Sequence, residues 1–489
     1  MMEAINMDSL QQAIDEYIKN QYSRYHTPGH IGGEGSPAIS LLGEQVFKAD
    51  LTELPGLDDL HAPENVIKNA QSRAAQVFGA DFTHFLVNGS SAGIIAMILA
   101  MVEPGKKLAV PRNAHRSVYH GLILSGAIPE YIPVEVPKES PVAFNISPDE
   151  LNNTISTNID SSKTPEAVLI TNPSYHGVAI DMNKVALDSN IPLLVDEAHG
   201  AHFIFSKDLP PDASEYGGDL WVQSTHKTLG SLTQSSMLHG IENLVSREKL
   251  AFMLQLVQTT SPSYPLMASL ESVIEYADKY HKHWQEFISN RLKYIRNKIC
   301  EIPGLQLVTP EQITTGFKLD PSKLTIDLRE LNISGYKLSD LLRNEFGIQV
   351  ELVDSNSIML MLTPYHTERE LDYLINSLET IVNNKNSYQI VNNTVDKQLV
   401  AKTDIPYPQV EITPREAVYQ EGEYIELSEA IGRVAQEFVI PYPPGIPALV
   451  PGEIITGDVY EYLNKLTENP EIHIQGFYYS SSSYIKVIR

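Results

Sequence analysis

The chain has 489 residues, 42% of them hydrophobic and 20% charged, and its 36 Lys and Arg against 61 Asp and Glu leave a formal net charge of −25 at pH 7. Such a length buries a large core and divides into two or three domains, while so negative a balance repels nucleic acid and anionic membranes and attracts cationic solutes. Cys300 is the single cysteine, which excludes an intrachain disulfide and fits a reducing cytoplasm.

The first 50 residues read as an N-terminal arm. MMEAINMDSLQQAIDEY has the period of an acidic amphipathic helix and neither the basic flank nor the apolar core of a secretion signal. HTPGHIGGEGSP follows, where Gly and Pro forbid regular structure, and in a dimer such an arm can cross to the partner. From 51 to 275 strand and helix patterns alternate, as in a doubly wound α/β domain. The longest apolar run, Ala92 to Val102, has 11 residues and is too short to span a bilayer.

Within this domain five turns each follow an apolar strand-like run. LVNGSSAGIIAMILAMV reads as strand, small-residue turn and apolar helix; the free N–H groups of its first turn and the hydroxyls of Ser90 and Ser91 suit a phosphate, or equally an ordinary helix cap. NGS at Asn88 is read as part of that turn and not as a glycan acceptor. VPRNAHRSVYHG then offers His115, LITNPSYHG offers Asn172, LLVDEAHG offers Asp196 and WVQSTHKTLGSLTQSS offers Lys227, 31 residues after Asp196. The carboxyl ends of parallel strands share one sheet edge, so these turns are expected to converge on one crevice. A strand-end acid followed by a strand-end lysine is what pyridoxal 5'-phosphate (PLP) chemistry requires. The lysine condenses with the aldehyde, and the acid keeps the pyridine nitrogen protonated so that the ring accepts electrons. Alone, the Asp also fits a turn cap and the Lys a solvated loop. His115 suits stacking on a ring, and His199 and His226 flank the acid and the lysine.

Ser272 to Ile302 lacks Gly and Pro and reads as a connecting helix, so that 276–385 forms a smaller α+β domain with that helix at its start. Asn383 to Gln398 is polar and reads as a linker. The last region, 399–489, carries PYPPGIPALVPGE, a rigid extended path ending in Glu453. That carboxylate suits the distal cation of a basic amino acid, or a solvated loop. No Cys/His spacing suggests a metal site.

Taken together, YHTPGH, LPGLDDLHAP, NGSSAG, PRNAHRSV, TNPSYHG, VDEAHGAHF, STHKTLGSLTQSS, TTSPSYPLMASL and YPPGIPALVPGE resemble the Orn/Lys/Arg decarboxylases over nearly the whole chain. The resemblance is to the short bacterial form without an N-terminal wing domain. It implies the fold of the PLP-dependent aspartate aminotransferase-like enzymes (fold type I): an α/β large domain, a smaller α+β domain and a C-terminal α+β decarboxylase segment. By the same resemblance Lys227 carries PLP, Asp196 pairs with the pyridine nitrogen, Ser90 and Ser91 bind phosphate, His115 stacks on the ring, and Ser224 and His226 line the cofactor site. The winged enzymes have an aromatic residue where this chain has His199, so its role is not carried over.

The function expected is decarboxylation of a basic amino acid in the cytoplasm, arginine first and lysine or ornithine next, in polyamine biosynthesis and in a homodimer. The proton returned to Cα comes from His226 or Lys227. Because the electron sink does not dictate which Cα bond breaks, another fold type I enzyme such as an aminotransferase stays open. There Arg415 is an available carboxylate partner. A non-catalytic PLP-binding regulator is the third reading, disfavoured by the acidic charge.

Overall fold

The computed structural model describes the chain apart from residues 1–8, 34, 138–139, 141, 143, 157–163, 187–189, 314, 332, 386–387, 389–406, 443–445, 468–472 and 480–482. Most of the linker expected at 383–398 therefore lies outside the described residues. In chain order the first strands are β1 (Phe82–Leu86), β2 (Lys107–Pro111), β3 (Ile128–Ile132), β4 (Ala167–Thr171), β5 (Val178–Ile180), β6 (Leu193–Asp196), β7 (Leu220–Gln223) and β8 (Ser236–Gly240). The five apolar runs of the sequence fall on β1, β2, β4, β6 and β7. The chain forms two compact units.

The first unit comprises Met1–Met101, Pro192–Phe205 and Pro211–Lys282. Its strands run in the order β1–β8–β7–β6, with β8 antiparallel to both β1 and β7, and β7 parallel to β6. β6, β7 and β8 are buried along their whole length, the unbroken apolar pattern of a sheet covered on both faces. Helix Gly89–Met101 is correspondingly apolar all round and buries Ile94, Met97 and Ile98. Gly93 lets it press onto the sheet, since a Cβ there would lie 2.7 Å from both Leu86 Cδ1 and Val222 Cγ2. The N-terminal helix Leu10–Lys19 is anchored by a buried acid, Glu271, whose carboxylate accepts from Leu10 N at 3.0 Å and Gln11 N at 2.8 Å.

The second unit comprises Val102–Ile191, Ser206–Pro210 and His283–Arg489. Here β2 lies parallel to both β3 and β4, and β5 pairs antiparallel with Phe317–Leu319. A small antiparallel sheet follows, in the order Leu352–Val353, Ser357–Met361, Lys323–Asp327, Gln306–Leu307. Helices Gly335–Phe346 and Glu368–Asn383 complete this α+β part, the second opened by a reciprocal cap between Thr367 and Glu370. The C-terminal part pairs Ser483–Ile488 with Gly422–Glu426 and with Phe477–Tyr479, over a core that includes Leu449, Val459, Leu463 and Ile485.

Ser272 to Ile302 is not one regular α-helix. Helices Tyr264–Glu275 and Ala277–Glu286 meet at Tyr276, and Phe287–Leu292 winds as a π-helix before Lys293–Cys300. Composition signals helix but not winding; Trp284, Phe287 and Leu292 of this stretch are all buried.

Candidate active site

Strands β1, β6 and β7 run in one direction, because β1 and β7 both oppose β8 while β6 parallels β7. Their carboxyl ends therefore share an edge of the first unit. Along it stand Gly89 to Ser91 after β1, Asp196 closing β6, and Ser224 to Lys227 after β7. Sequence distance is removed by strand direction alone.

Lys227 sits in the short helix Thr225–Thr228, its N–H donating to Ser224 O at 2.9 Å. Its Nζ lies 2.9 Å from His199 Nε2. With the lysine donating, the imidazole lone pair is on Nε2 and the ring hydrogen on Nδ1. Asp196 is only 3% exposed. Burial pushes its carboxyl above the usual range, opposed by the Lys227 charge and by Ala198 N–H, which donates to Oδ1 at 3.2 Å. His226 Nδ1 meets the Ser235 carbonyl at 2.8 Å, so Nδ1 carries the hydrogen and Nε2 the lone pair. Burial holds its pKa below the ordinary value, and the Lys227 charge acts in the same direction against the Ser235 hydrogen bond.

Ser224 is fully buried, and its Oγ has no hydrogen-bond partner among the described residues. Ser90 and Ser91 lie half-buried in the first turn of helix Gly89–Met101, where N–H groups have no partner within the helix. The turn before them needs Gly89, at φ +75°, and is tied by Gln234 Nε2 donating to Val87 O at 2.6 Å and by Asn88 Oδ1 accepting from Thr259 N at 3.1 Å.

One residue of this edge escaped the sequence reading. Glu197, fully buried, accepts from Ala213 N at 2.9 Å and from Gln223 Nε2 at 2.7 Å, which ties the end of β6 to the end of β7. Burial, then the neighbouring Asp212, raise its carboxyl well above the usual range. The signal was in the motif: a second acid directly after Asp196.

The other candidates belong to the second unit. His115, after β2, caps helix Arg116–Ser125: its Nδ1 lies 2.8 Å from Ser117 Oγ and accepts from Ser117 N at 3.3 Å, which leaves the ring hydrogen on Nε2. Asn172, after β4, is buried and its Oδ1 accepts from Ile180 N at 2.8 Å. Glu453 is fully buried, with Oε2 at 3.1 Å from Arg112 Nη2 and accepting from Val450 N at 2.8 Å. Arg415 is exposed beside Gly126. Among the described residues no cluster of His, Cys, Asp and Glu is arranged to hold a metal ion, and no helix is long and apolar enough to cross a membrane.

The Orn/Lys/Arg decarboxylase major-domain model matches residues 9–370, and the model of that family's C-terminal domain matches residues 394–480. The chain belongs to the Orn/Lys/Arg decarboxylase family. Two relatives are similar over almost their full lengths. An arginine decarboxylase of Bacillus subtilis (strain 168) is 35% identical over 487 residues, 98% of this chain and 97% of the relative. An arginine decarboxylase of Bacillus anthracis is 36% identical over 464 residues, 93% and 92% of the two chains. Among solved structures, the Francisella novicida lysine decarboxylase superposes with a TM-score of 0.85 at 22% identity, covering 99% of this chain and 82% of that one. The fold is therefore that of the fold type I enzymes, and this family member is an amino acid decarboxylase.

Proposed function

We propose that the chain removes the α-carboxylate of arginine as CO2, leaving agmatine, with PLP as its cofactor. The observation that carries this reading is the Lys227 amine, 2.9 Å from His199 and in the field of the buried Asp196. The residues fit the cofactor: the unpartnered Ser224 hydroxyl and the open first turn at Ser90 and Ser91 suit a phosphate. When bound, PLP supplies an aldehyde for amines and a ring that takes up the electron pair left at Cα.

Each side chain then has one task. Lys227 would hold the cofactor through its amine, which His199 steadies at 2.9 Å. Asp196 would keep a proton at the pyridine nitrogen. His226, with its lone pair on Nε2 and a lowered pKa, can take up a proton and hand it to Cα. His115 would offer a flat ring with its hydrogen on Nε2, and Asn172 would line the cofactor. The choice of arginine rests on the printed activity of the Bacillus relatives.

The same proposal takes 1–50 as an arm, 51–275 as the cofactor domain, 276–385 as the small domain and 399–489 as the C-terminal decarboxylase domain, working as a cytoplasmic homodimer. Support for the dimer comes from the apolar side chains the arm leaves in water, with Tyr25 96% and Leu41 84% exposed.

Incubation of the purified, PLP-loaded protein with arginine, lysine and ornithine, measuring CO2, amine and keto acid, decides the reading. Agmatine and CO2 from arginine in preference to the other two are expected. A keto acid product would make it an aminotransferase, and PLP binding without turnover of any of the three would make it a non-catalytic PLP protein.

A further inference from the structure

The Arg112–Glu453 ion pair is almost wholly out of water, the two side chains being 2% and 1% exposed. Arg112 stands at the end of β2, three residues before His115, and Glu453 ends the proline-rich segment of the C-terminal part. Both belong to the second unit. The guanidinium grips one short stretch of chain at three points: Nη1 donates to Pro447 O at 2.7 Å, and Nη2 donates to Ala448 O at 3.0 Å and to Glu453 Oε2 at 3.1 Å. Its Cζ also lies over the ring of Tyr131 on β3, 5.3 Å from the ring centre. A rigid planar fork of donors suits two carbonyls and a carboxylate held in this arrangement.

Both ends of this contact are themselves fixed. On the β2 side, Tyr119 OH donates to Arg112 O at 2.6 Å and Arg112 N donates to Ile132 O at 3.3 Å. The turn that follows closes with Ala114 N donating to Pro111 O at 3.0 Å and Val118 N to His115 O at 2.9 Å. On the C-terminal side, Ala435 N donates to Glu453 O at 2.9 Å and Gly452 N to Ala435 O at 2.8 Å. Gly452 has φ +92°, and a Cβ there would lie 2.3 Å from Ile412 O, so the bend before Glu453 admits only glycine.

We propose that Arg112 and Glu453 are a positioning pair through which the C-terminal domain sets the turn that carries His115. Glu453 then acts on the reaction through Arg112 and does not itself meet the substrate's distal cation: its charge is matched within the chain, and a second cation would have to share a carboxylate already engaged by Arg112. The inference rests on the catalytic reading of His115 given above and goes beyond it by naming what orients that residue.

The test uses the full-length protein with Arg112→Lys and Glu453→Gln. Arg112→Lys keeps the charge and loses the fork; Glu453→Gln keeps the shape and loses the charge. Amide hydrogen exchange of the apo protein reads the coupling without any turnover. Each variant should speed exchange both in 111–120 and in 446–455, while 224–236 keeps its wild-type rate. In the PLP-loaded enzyme each should lower kcat roughly 10- to 100-fold, the scale of a misplaced catalytic group. KM for arginine and binding of its amine product should stay near wild type, and the visible circular dichroism of the bound cofactor should change. If Glu453→Gln raises KM and weakens the product while exchange at 111–120 is untouched, Glu453 is a substrate contact and the proposal fails. Exchange and kcat unchanged in both variants would also overturn it. If the wild type proves inactive on all three amino acids, the exchange measurement still decides the coupling. A variant with a collapsed thermal transition is replaced by Glu453→Asp, which must restore slow exchange in both segments for the proposal to stand.

Discussion

At the scale of single residues the site is an exercise in holding charges out of water. Asp196 is buried, which pushes its carboxyl above the usual range, and a positive charge beside it opposes that push and favours the carboxylate. A protonated pyridine supplies such a charge, so Asp196→Asn should leave PLP bound while lowering turnover by ~100-fold or more, the loss typical of a preorganised electrostatic group. Activity close to wild type would assign the pyridine partner to another acid. Lys227→Ala should abolish turnover, and borohydride treatment of the wild-type, PLP-loaded protein should fix the cofactor to Lys227, read by peptide mass spectrometry. Label on a different lysine would refute the assignment.

At the scale of elements, the ends of helices decide more than their middles. Helix Val66–Val77 has no capping bond from its own N-cap residue, Asn65. Its first turn is served from outside by Asp58. Oδ2 accepts from Asn65 N at 2.8 Å and Ile67 N at 3.0 Å, and Oδ1 from Glu64 N at 3.0 Å. Asp58 itself sits at φ +68°, a conformation that Asp and Asn tolerate better than other side chains. Tyr264 OH donates to Asp58 O at 2.6 Å, so the same turn also engages helix Tyr264–Glu275. Asp58→Ala should therefore cost about 1 to 2 kcal/mol of stability, the value of a strong cap. Asp58→Asn should lose less than half of that. Equal stability of Asp58→Ala and wild type in urea titration would show that water replaces the cap.

At the scale of the whole molecule, acid stability is set partly by neutral histidines in the core of the first unit. His239 is fully buried, stacked on Trp221 with ring centres 5.4 Å apart and bonded through Nδ1 to Thr83 Oγ1 at 2.8 Å. Burial, then the neighbouring His84, push its pKa down to about 3. The unfolded chain therefore binds a proton near pH 6.5 that the folded chain refuses until about pH 3. This contribution is intact above pH 6.5 and is lost progressively as the pH falls toward 3, reaching roughly 2 kcal/mol at pH 5. His239→Gln should flatten the acid limb of a thermal-melt series between pH 6.5 and 4 relative to wild type. Parallel limbs would show that other groups held below their ordinary pKa, such as His84, control it instead.

The sequence by itself determined the order of chemistry along the chain, because a strand end is announced by an apolar run and the polar residues that stop it. HFLV, AVLI, PLLV and DLWV needed no structure to place Ser90, Asn172, Asp196 and Lys227 after strands. The α/β class, the α+β parts and the family motifs were equally legible, since each is a local pattern. Only the tertiary structure decided who touches whom. The antiparallel β8 between β1 and β7 puts three strand ends on one edge, and its own short apolar run does not reveal that direction. The contact of Lys227 with His199, and the bracing of β6 against β7 by Glu197, join residues 28 and 26 apart in the chain. Arg112 and Glu453, 341 residues apart, are the extreme case. Local sequence fixes where a charge sits along the chain, but whether it faces water, a substrate or an opposite charge depends on which distant segment packs over it.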